Sequence, residues 1–323
     1  MAKRHVLHAI WLASVAIVAP APAEEFPNRP ITWVVPFAPG GITDTTSRIV
    51  AEEMSKTLGQ SIVVDNRGGA GGTVGTEQVA RAKPDGYTLI YGTQATMAAN
   101  VSLRKSLPYD PLTSFVPVHL VGESPNLFVA HADTPYKSVP EFIAYAKQNP
   151  GKVSFSSAGV GTATHLVAEL FKTVVGIEML HVPYKGSAPA LNDLIAGHVD
   201  VMFDYPVTVG PHVEAGKLKV LVTTAPERLR AFPNVPTMAE LGMKEMTTQS
   251  WSGIMVPAGT PAPVVDRLAA AAHEALSSER VRTHFEKVGT RPMMLQKAEM
   301  IPFIEKEIVR WRDVIERAGL EKQ

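Results

Sequence analysis

One pattern recurs along the chain: an apolar segment of strand length, a glycine-containing turn, and a helical segment with apolar residues on one face. It is clearest in residues 32–50, which contain VVPFAPGGITDTTSRIV, and in residues 152–174. Alternating strands and helices are typical of α/β folds, in which parallel strands are joined by right-handed crossovers. Because the pattern occurs in both halves, it predicts two similar α/β lobes. Each would be a mostly parallel sheet flanked by helices, with a ligand cleft between the lobes.

The turn at the centre of this pattern is a candidate anion-binding site. A helix N-terminus presents unpaired N–H groups and a partial positive charge, and glycine lets a ligand approach the backbone. Ligands of open α/β sheets bind beyond the carboxyl ends of the strands, where these turns lie. A tight turn without a ligand has the same sequence, so a single turn leaves both interpretations open. Three such turns occur, at 40–44, 159–162 and 186–189, and their number favours binding.

The composition is that of a sizeable globular protein. The chain has 323 residues, 45% of them hydrophobic, with 31 basic residues, 31 acidic residues and no cysteine. This length predicts about two domains whose cores need no disulfides. Because the charge is balanced and no long basic run occurs, nucleic acid and anionic membrane surfaces are poor candidate partners.

The first 23 residues have the features of a signal peptide. Two basic residues precede an apolar segment, residues 9–19, and the small-residue sequence Ala21-Pro22-Ala23 follows it. This arrangement is typical of a cleavable export signal. An uncleaved signal anchor is the alternative. We expect cleavage after Ala23 and an exported, soluble mature chain.

Motifs of common enzyme classes are missing from the sequence. It contains no G-x-S-x-G nucleophile elbow and no G-x-x-x-x-G-K-[ST] phosphate loop. GGAGGTVG, residues 68–75, departs by one residue from a dinucleotide-binding fingerprint and follows the second expected strand instead of the first. The histidines show no metal-binding spacing. We therefore expect no cofactor, no metal ion and no catalytic residue.

Six segments together resemble a known family. They are ITWVVPFAPGGITD, VVDNRGGAGGTVGTEQVARAKPDGYTL, SLPYDPLTSFVPV, SSAGVGTATHLVAELF, HVPYKGSAPALNDLIAGHVDVMFD and LRAFPNVPTMAELG. In order and spacing they are similar to the Bug-type substrate-binding proteins of tripartite tricarboxylate transporters. The resemblance implies a two-lobed, type II-like periplasmic binding protein that closes on a small di- or tricarboxylate or aromatic acid. It also implies membrane subunits of a transporter as partner, although many family members are orphans without an adjacent transporter.

The resemblance further implies ligand-binding positions in both lobes. They are Phe37, Ala38, Pro39, Gly40, Gly41, Ile42, Asp44, Thr93 and Gln94 in the first lobe, and Ser157, Gly159, Thr162, His165, Gly186 and Asp204 in the second. The first-lobe turn would bind the ligand through backbone groups and ordered water. Hydroxyl groups at Thr93, Ser157 and Thr162 can donate hydrogen bonds to carboxylate oxygens.

Two aspartates and two departures from the family pattern need separate interpretation. An ionised Asp204 cannot pair with a carboxylate, so it would bind a ligand hydroxyl or amine, or only cap local N–H groups; both roles stay open. For Asp44 we favour capping at the helix N-terminus.

Ile42 replaces a small residue of the family pattern, and Tyr205 stands where Asn is common in the family. Both make the cleft less polar, which favours an aromatic or branched carboxylate over citrate.

These observations predict the organisation of the chain and leave two function classes. We expect residues 24–126 with 251–323 to form lobe 1, residues 127–250 to form lobe 2, and the protein to be a monomer. The favoured function is a solute-binding receptor. The alternative is an exported lyase or hydrolase of a small acid that uses His165 and Asp204 as acid and base. Such an enzyme needs both side chains within hydrogen-bonding reach of one substrate.

Overall fold

The structure is a computed structural model that describes residues 26–323. The signal peptide predicted at residues 1–23, with cleavage after Ala23, lies outside the described residues. Between residues 26 and 323 we find no helix with the length and apolar character needed to cross a membrane.

The strands of the described chain fall into two sheets. They are β1 (Ile31–Val35), β2 (Ile62–Asn66), β3 (Thr88–Thr93), β4 (Phe115–Pro125), β5 (Leu127–His131), β6 (Ser154–Ser157), β7 (Leu180–Pro183), β8 (Val201–Asp204), β9 (Leu218–Thr223), β10 (Gln249–Pro257) and β11 (Arg291–Pro292). The first sheet has the order β11-β4-β10-β3-β1-β2, and the second has the order β7-β6-β8-β5-β9.

Helices cover these sheets. They are α1 (Ile42–Leu58), α2 (Thr73–Ala80), α3 (Asn100–Leu103), α4 (Val139–Gln148), α5 (Ala163–Val175), α6 (Ser187–Ile195), α7 (Pro206–Glu214), α8 (Ala262–Ser277), α9 (Glu279–Lys287) and α10 (Met300–Arg317). Residues Ala95–Ala99 form a π-helical turn that continues into α3. Short 3₁₀ turns occur at Ala70–Gly72, Lys244–Met246 and Lys297–Glu299.

The two-lobed α/β architecture is confirmed, but the sheets are mixed. Parallel pairing joins β1 to β2 and β3, and β6 to β7 and β8. The remaining pairs are antiparallel: β10 with β3 and β4, β11 with β4, and β5 with β8 and β9. The sequence predicts mostly parallel sheets, and that expectation was wrong for these antiparallel pairs. The long strands β4 and β10 carry the chain out of the first sheet and back into it. Each of them pairs with neighbours that run in the opposite direction.

The chain passes between the sheets along adjacent strands. It leaves the first sheet at the end of β4 and enters the second at β5, with one residue between them, and it returns along β10. β4 and β10 pair along their lengths, from Gln249 opposite Pro125 to Pro257 opposite Phe115. Helix α10 then packs against the Ala95–Ala99 turn, α3 and α5, so it contacts elements of both lobes. We call the first sheet with its helices the first lobe, and the second sheet with its helices the second lobe.

Local sequence explains most element boundaries. Ser138 caps α4, as the sequence predicts, by accepting a hydrogen bond from the Glu141 N–H. Gly59 ends α1 in the left-handed conformation that glycine adopts without strain. The first strand is buried on both faces, which accounts for its nearly continuous apolar sequence.

Candidate functional site

A cavity lies between the two lobes, at the carboxyl ends of several strands. The space open to the centre of a water molecule is about 50 Å³. Its walls come from both lobes and from the crossing strands: Phe37, Ala38, Gly41, Ile42, Thr43, Thr46, Tyr91, Thr93, Gln94, Ala95, Val121, Gly122, Ser124, Ala158, Thr162, Ala163, Thr164, Ser187, Tyr205, Ser250, Trp251, Ser252 and Thr290. None of these lining residues carries a carboxyl group, an amine, a guanidinium or an imidazole.

Five helical segments begin at this cavity. The lining includes the first residues or caps of α1 (41–43), α5 (162–164), α6 (187) and α7 (205), and of the π-helical turn (94–95). Each N-terminus contributes unpaired N–H groups and a partial positive charge. The site therefore has an electropositive interior built from neutral groups, which suits a small anion.

The first turn of α1 is arranged so that two of its amides are free. Asp44 accepts a hydrogen bond from the Gly40 N–H at 2.9 Å and forms an ion pair with Arg48 at 2.9 Å. Within the described chain no acceptor is found for the N–H groups of Ile42 and Thr43. The predicted capping role of Asp44 is compatible with these contacts. The helix itself begins at Ile42 with Gly41 as the N-cap residue, and Asp44 reaches back from the first turn to the Gly40 N–H.

The turn before α5 is held by hydrogen bonds among its own side chains. Thr162 Oγ1 donates to the Gly159 carbonyl at 2.6 Å, and Thr164 Oγ1 accepts from the Ala158 N–H at 2.9 Å. His165 Nδ1 accepts from the Gly161 N–H at 3.2 Å. These bonds fix the backbone that faces the cavity, while Thr162, Ala163 and Thr164 form the wall itself.

Behind this turn lies a stacked pair of histidines. The rings of His165 and His181 stack with centroids 4.1 Å apart, and Ser157 Oγ bonds to His181 Nε2 at 2.6 Å. Burial lowers the pKa of His165 to about 3 and that of His181 to about 4. Both imidazoles are therefore neutral at physiological pH, and they support the turn without facing the cavity.

Asp204 is fully buried beneath the cavity wall. Its Oδ1 accepts from Ser187 Oγ and its Oδ2 from Thr208 Oγ1, each at 2.8 Å. Burial raises the pKa of this carboxyl to about 6, against the opposite effect of those hydrogen bonds. Asp204 does not line the cavity, whereas Ser187 and Tyr205 do. Any influence of this carboxylate on a ligand must pass through its neighbours.

Gln94 is the most unusual polar side chain of the wall. It has no solvent exposure, and neither its amide oxygen nor its amide nitrogen has a hydrogen-bond partner in the described chain. An unpaired buried amide costs on the order of 1–3 kcal/mol. A side chain of this kind that lines a cavity is a candidate for pairing with a ligand.

The lobes touch each other at the rim of the cavity. The Ala38 N–H donates to the Lys185 carbonyl at 3.0 Å. A β-carbon on Gly71 would lie 2.2 Å from the Val160 carbonyl oxygen, and one on Gly186 would lie 2.9 Å from the Ala38 nitrogen. Backbone therefore meets backbone between the lobes beside the cavity.

Some of the ligand-binding residues predicted from the sequence line the cavity, and the others lie behind or beside it. Those that line the cavity are Phe37, Ala38, Gly41, Ile42, Thr93, Gln94 and Thr162. Those that lie behind or beside it are Pro39, Gly40, Asp44, Ser157, Gly159, His165, Gly186 and Asp204. The prediction missed Tyr91, Ser124, Ser187, Ser250, Trp251, Ser252 and Thr290, which also line it. Of these, only Ser187 had a local signal, because it follows Gly186 at a helix start.

The geometry does not support the enzyme alternative. His165 Nδ1 accepts a hydrogen bond from a backbone N–H, and the Asp204 carboxylate accepts hydrogen bonds from Ser187 and Thr208. Neither side chain lines the cavity, so the two cannot reach one substrate there. Within residues 26–323 no group of three or more His, Cys, Asp or Glu side chains is placed to hold a metal ion.

The sequence matches one protein family over most of its length. The profile of the tripartite tricarboxylate transporter family receptor matches residues 46–320. Protein BugT of Bordetella pertussis is 38% identical over 311 residues, which cover 96% of this chain and 95% of that protein. Members of this family are solute-binding receptors and not enzymes.

Solved structures of similar proteins have the same fold. The periplasmic binding protein BugD is 38% identical with a TM-score of 0.89, over 92% of this chain and 100% of that one. Rpa4515 of R. palustris, solved with adipate, is 37% identical with a TM-score of 0.89, over 93% and 100%. MatC of Rhodopseudomonas palustris, solved with bound malate, is 39% identical with a TM-score of 0.85, over 90% and 100%. Sequence and fold agree, and the chain belongs to the receptor family of tripartite tricarboxylate transporters.

Proposed function

We propose that this protein is a periplasmic receptor that captures a small carboxylate between its lobes and delivers it to the membrane subunits of a tripartite transporter. The observation that carries the proposal is the convergence of five helical N-termini on a cavity to whose wall residues 26–323 contribute no charged side chain. Such a site attracts an anion through N–H groups and dipoles. It also releases the anion more readily than a buried ion pair would, because no fixed countercharge is left behind.

The two free amides of α1 are the groups we assign to the carboxylate. The N–H groups of Ile42 and Thr43 have no acceptor among the described residues, and the start of α5 approaches the cavity from the other lobe. Gln94 would bind a second polar group of the ligand with its unpaired amide. The remaining predicted positions, including Gly40, Asp44 and His165, would hold these donors in place and not touch the ligand.

The ligand would have an apolar body of modest size. Phe37, Ile42, Tyr91, Tyr205 and Trp251 supply apolar wall area on several sides of the cavity. Two relatives were solved with the dicarboxylates adipate and malate. These observations support a small mono- or dicarboxylate with a short carbon chain, and the apolar wall supports a branched or aromatic one over citrate.

Lobe boundaries and oligomeric state belong to the same proposal. We place lobe 1 at residues 24–126 with 251–323 and lobe 2 at 127–250. The passage of the chain between sheets after Pro125 and along β10 supports these limits. We also propose a monomer, because one chain supplies both sides of the cavity.

Salt dependence of carboxylate affinity tests the proposal. Calorimetric titrations with succinate, adipate, malate and benzoate would identify a binding acid. Between about 0.05 and 0.5 M NaCl its affinity should fall less than about threefold, because dipoles in a closed cleft are poorly screened. A steep loss would reveal a cationic site, and no saturable binding of any acid would contradict the proposal.

A further inference from the structure

Ser187 lines the cavity, and the proton of its hydroxyl is already committed to Asp204. Ser187 is the first residue of α6, is nearly buried and forms part of the wall. Its Oγ lies 2.8 Å from Oδ1 of the fully buried Asp204. An ionised carboxylate can only accept hydrogen bonds, so the single proton of Ser187 points away from the cavity. The Ser187 hydroxyl therefore offers the ligand lone pairs and no donor.

The environment of Asp204 keeps the hydrogen bond from Ser187 in place. Its second oxygen accepts from Thr208 Oγ1 at 2.8 Å, and it has no solvent exposure. Leaving a buried carboxylate oxygen without a donor is costly. Ser187 is thus held as an acceptor whenever Asp204 is ionised, which makes Asp204 a positioning residue.

The acceptor lies opposite the amides assigned to the carboxylate. A β-carbon built on Gly41, the cap of α1, would lie 3.6 Å from the Ser187 β-carbon in the other lobe. A ligand carboxylate at the start of α1 therefore brings its neighbouring carbon close to Ser187. If that carbon carries only hydrogen atoms, Ser187 Oγ loses its water contacts on closure and gains no donor in return.

We propose that the receptor selects carboxylates with a hydroxyl on the carbon next to the carboxylate, and that Ser187 accepts the hydrogen bond of that hydroxyl. This inference rests on the proposed function of carboxylate capture. A hydroxyl fits better than an ammonium group, which is also a donor. No acidic side chain from the described part of the chain lines the cavity, and the helix N-termini disfavour a cation there.

Matched acids that differ by one hydroxyl test the inference. We would titrate the full mature chain with L-malate and succinate, 2-hydroxyglutarate and glutarate, and lactate and propionate. In wild type the hydroxylated member of each binding pair should bind at least about tenfold more tightly, as expected for one buried hydrogen bond. Aspartate, the amino counterpart of malate, should bind more weakly than malate.

Two variants separate this role from a structural one. Ser187→Ala should bring the affinity ratio of each pair to within about threefold of one, mainly by weakening the hydroxylated acid. Asp204→Asn introduces amide protons next to Ser187, so the ratio should fall there as well. Ser156→Ala, a buried serine of the same lobe that does not line the cavity, should keep the wild-type ratio.

The outcomes distinguish the two proposals. The inference is overturned if the acids bind wild type without a preference for the hydroxylated member of each pair, or if that preference survives in Ser187→Ala. Either result would leave carboxylate capture standing. Aspartate binding more tightly than malate would overturn the choice of a hydroxyl. Failure of every acid to bind the folded wild-type protein would overturn both proposals.

Discussion

Replacing Gly186 by alanine is expected to weaken carboxylate binding at least about tenfold and to change the thermal midpoint by no more than about 2 °C. Gly186 has a φ of 161°, an extended conformation that alanine adopts freely. The new β-carbon would lie 2.9 Å from the nitrogen and from the β-carbon of Ala38 in the opposite lobe. The clash lies between the lobes and not within the core of either, so it opposes their approach around a ligand more than the folding of each lobe. Calorimetry and thermal unfolding measure the two effects.

Gly197→Ala is the matched control for this variant. Gly197 lies in the same lobe with a φ of 74°, and a β-carbon added there would have no other atom within 4 Å. Alanine there should cost roughly 1 kcal/mol of stability through backbone strain and leave the affinity unchanged. If Gly186→Ala binds like wild type, then contact between Gly186 and Ala38 is not part of the ligand-bound state.

Replacing Gln94 by methionine is expected to lower affinity at least about tenfold without lowering the thermal midpoint of the ligand-free protein. The amide of Gln94 is buried and has no partner in the described chain. Methionine keeps the length of the side chain but removes both polar atoms, so the ligand loses a partner while the protein loses no internal hydrogen bond. Titration and thermal unfolding of the same preparation test both halves of this expectation.

Gln148→Met provides the comparison, because Gln148 is exposed on α4 and does not line the cavity. It should alter neither affinity nor midpoint by a measurable amount. Wild-type affinity in Gln94→Met would mean that the amide faces the cavity without contacting the ligand.

The elements of this fold were largely predictable because their signals are local. The pattern of apolar residues and glycine turns locates β1, α1, β6 and α5, and Ser138 marks the start of α4. The direction of β10 was not predictable in this way. It depends on where the chain re-enters the first sheet, and nothing within residues 249–257 specifies the neighbours of that strand.

Only part of the cavity wall has a local signal. The starts of α1 and α5 follow glycine turns, which the sequence displays. Ser124 and Thr290, by contrast, meet at 2.7 Å across 166 positions of sequence, because β11 follows α9 and pairs with β4. Residues brought together by strand crossing in this manner cannot be found from spacing alone.

The contact between Trp251 and Glu307 could not be predicted from the sequence either. The charged pattern around Glu307 predicts a solvated face of α10, yet this carboxylate is buried. It accepts hydrogen bonds from the indoles of Trp251 and Trp311 at 2.8 and 3.0 Å. The helical pattern gives the position of Glu307 on α10 but not the tryptophan of β10 that packs over it.

The glycine turns have a further role that the sequence did not reveal. We expected their glycines to expose backbone to a ligand. Gly71 and Gly186 instead lie where the lobes meet, close to the backbone of Val160 and Ala38. Both roles require the absence of a β-carbon, so the sequence alone could not distinguish them.

Matched acids and amides test most directly the claim that neutral helix ends hold an anion. The tightest-binding acid of the panel and its uncharged amide would be titrated into the protein by calorimetry under the same conditions. We expect saturable one-to-one binding of the acid, recovery of the acid unchanged, and affinity for the amide at least about a hundredfold weaker. Equal affinity for acid and amide would contradict it, because the cavity would then recognise shape and not charge.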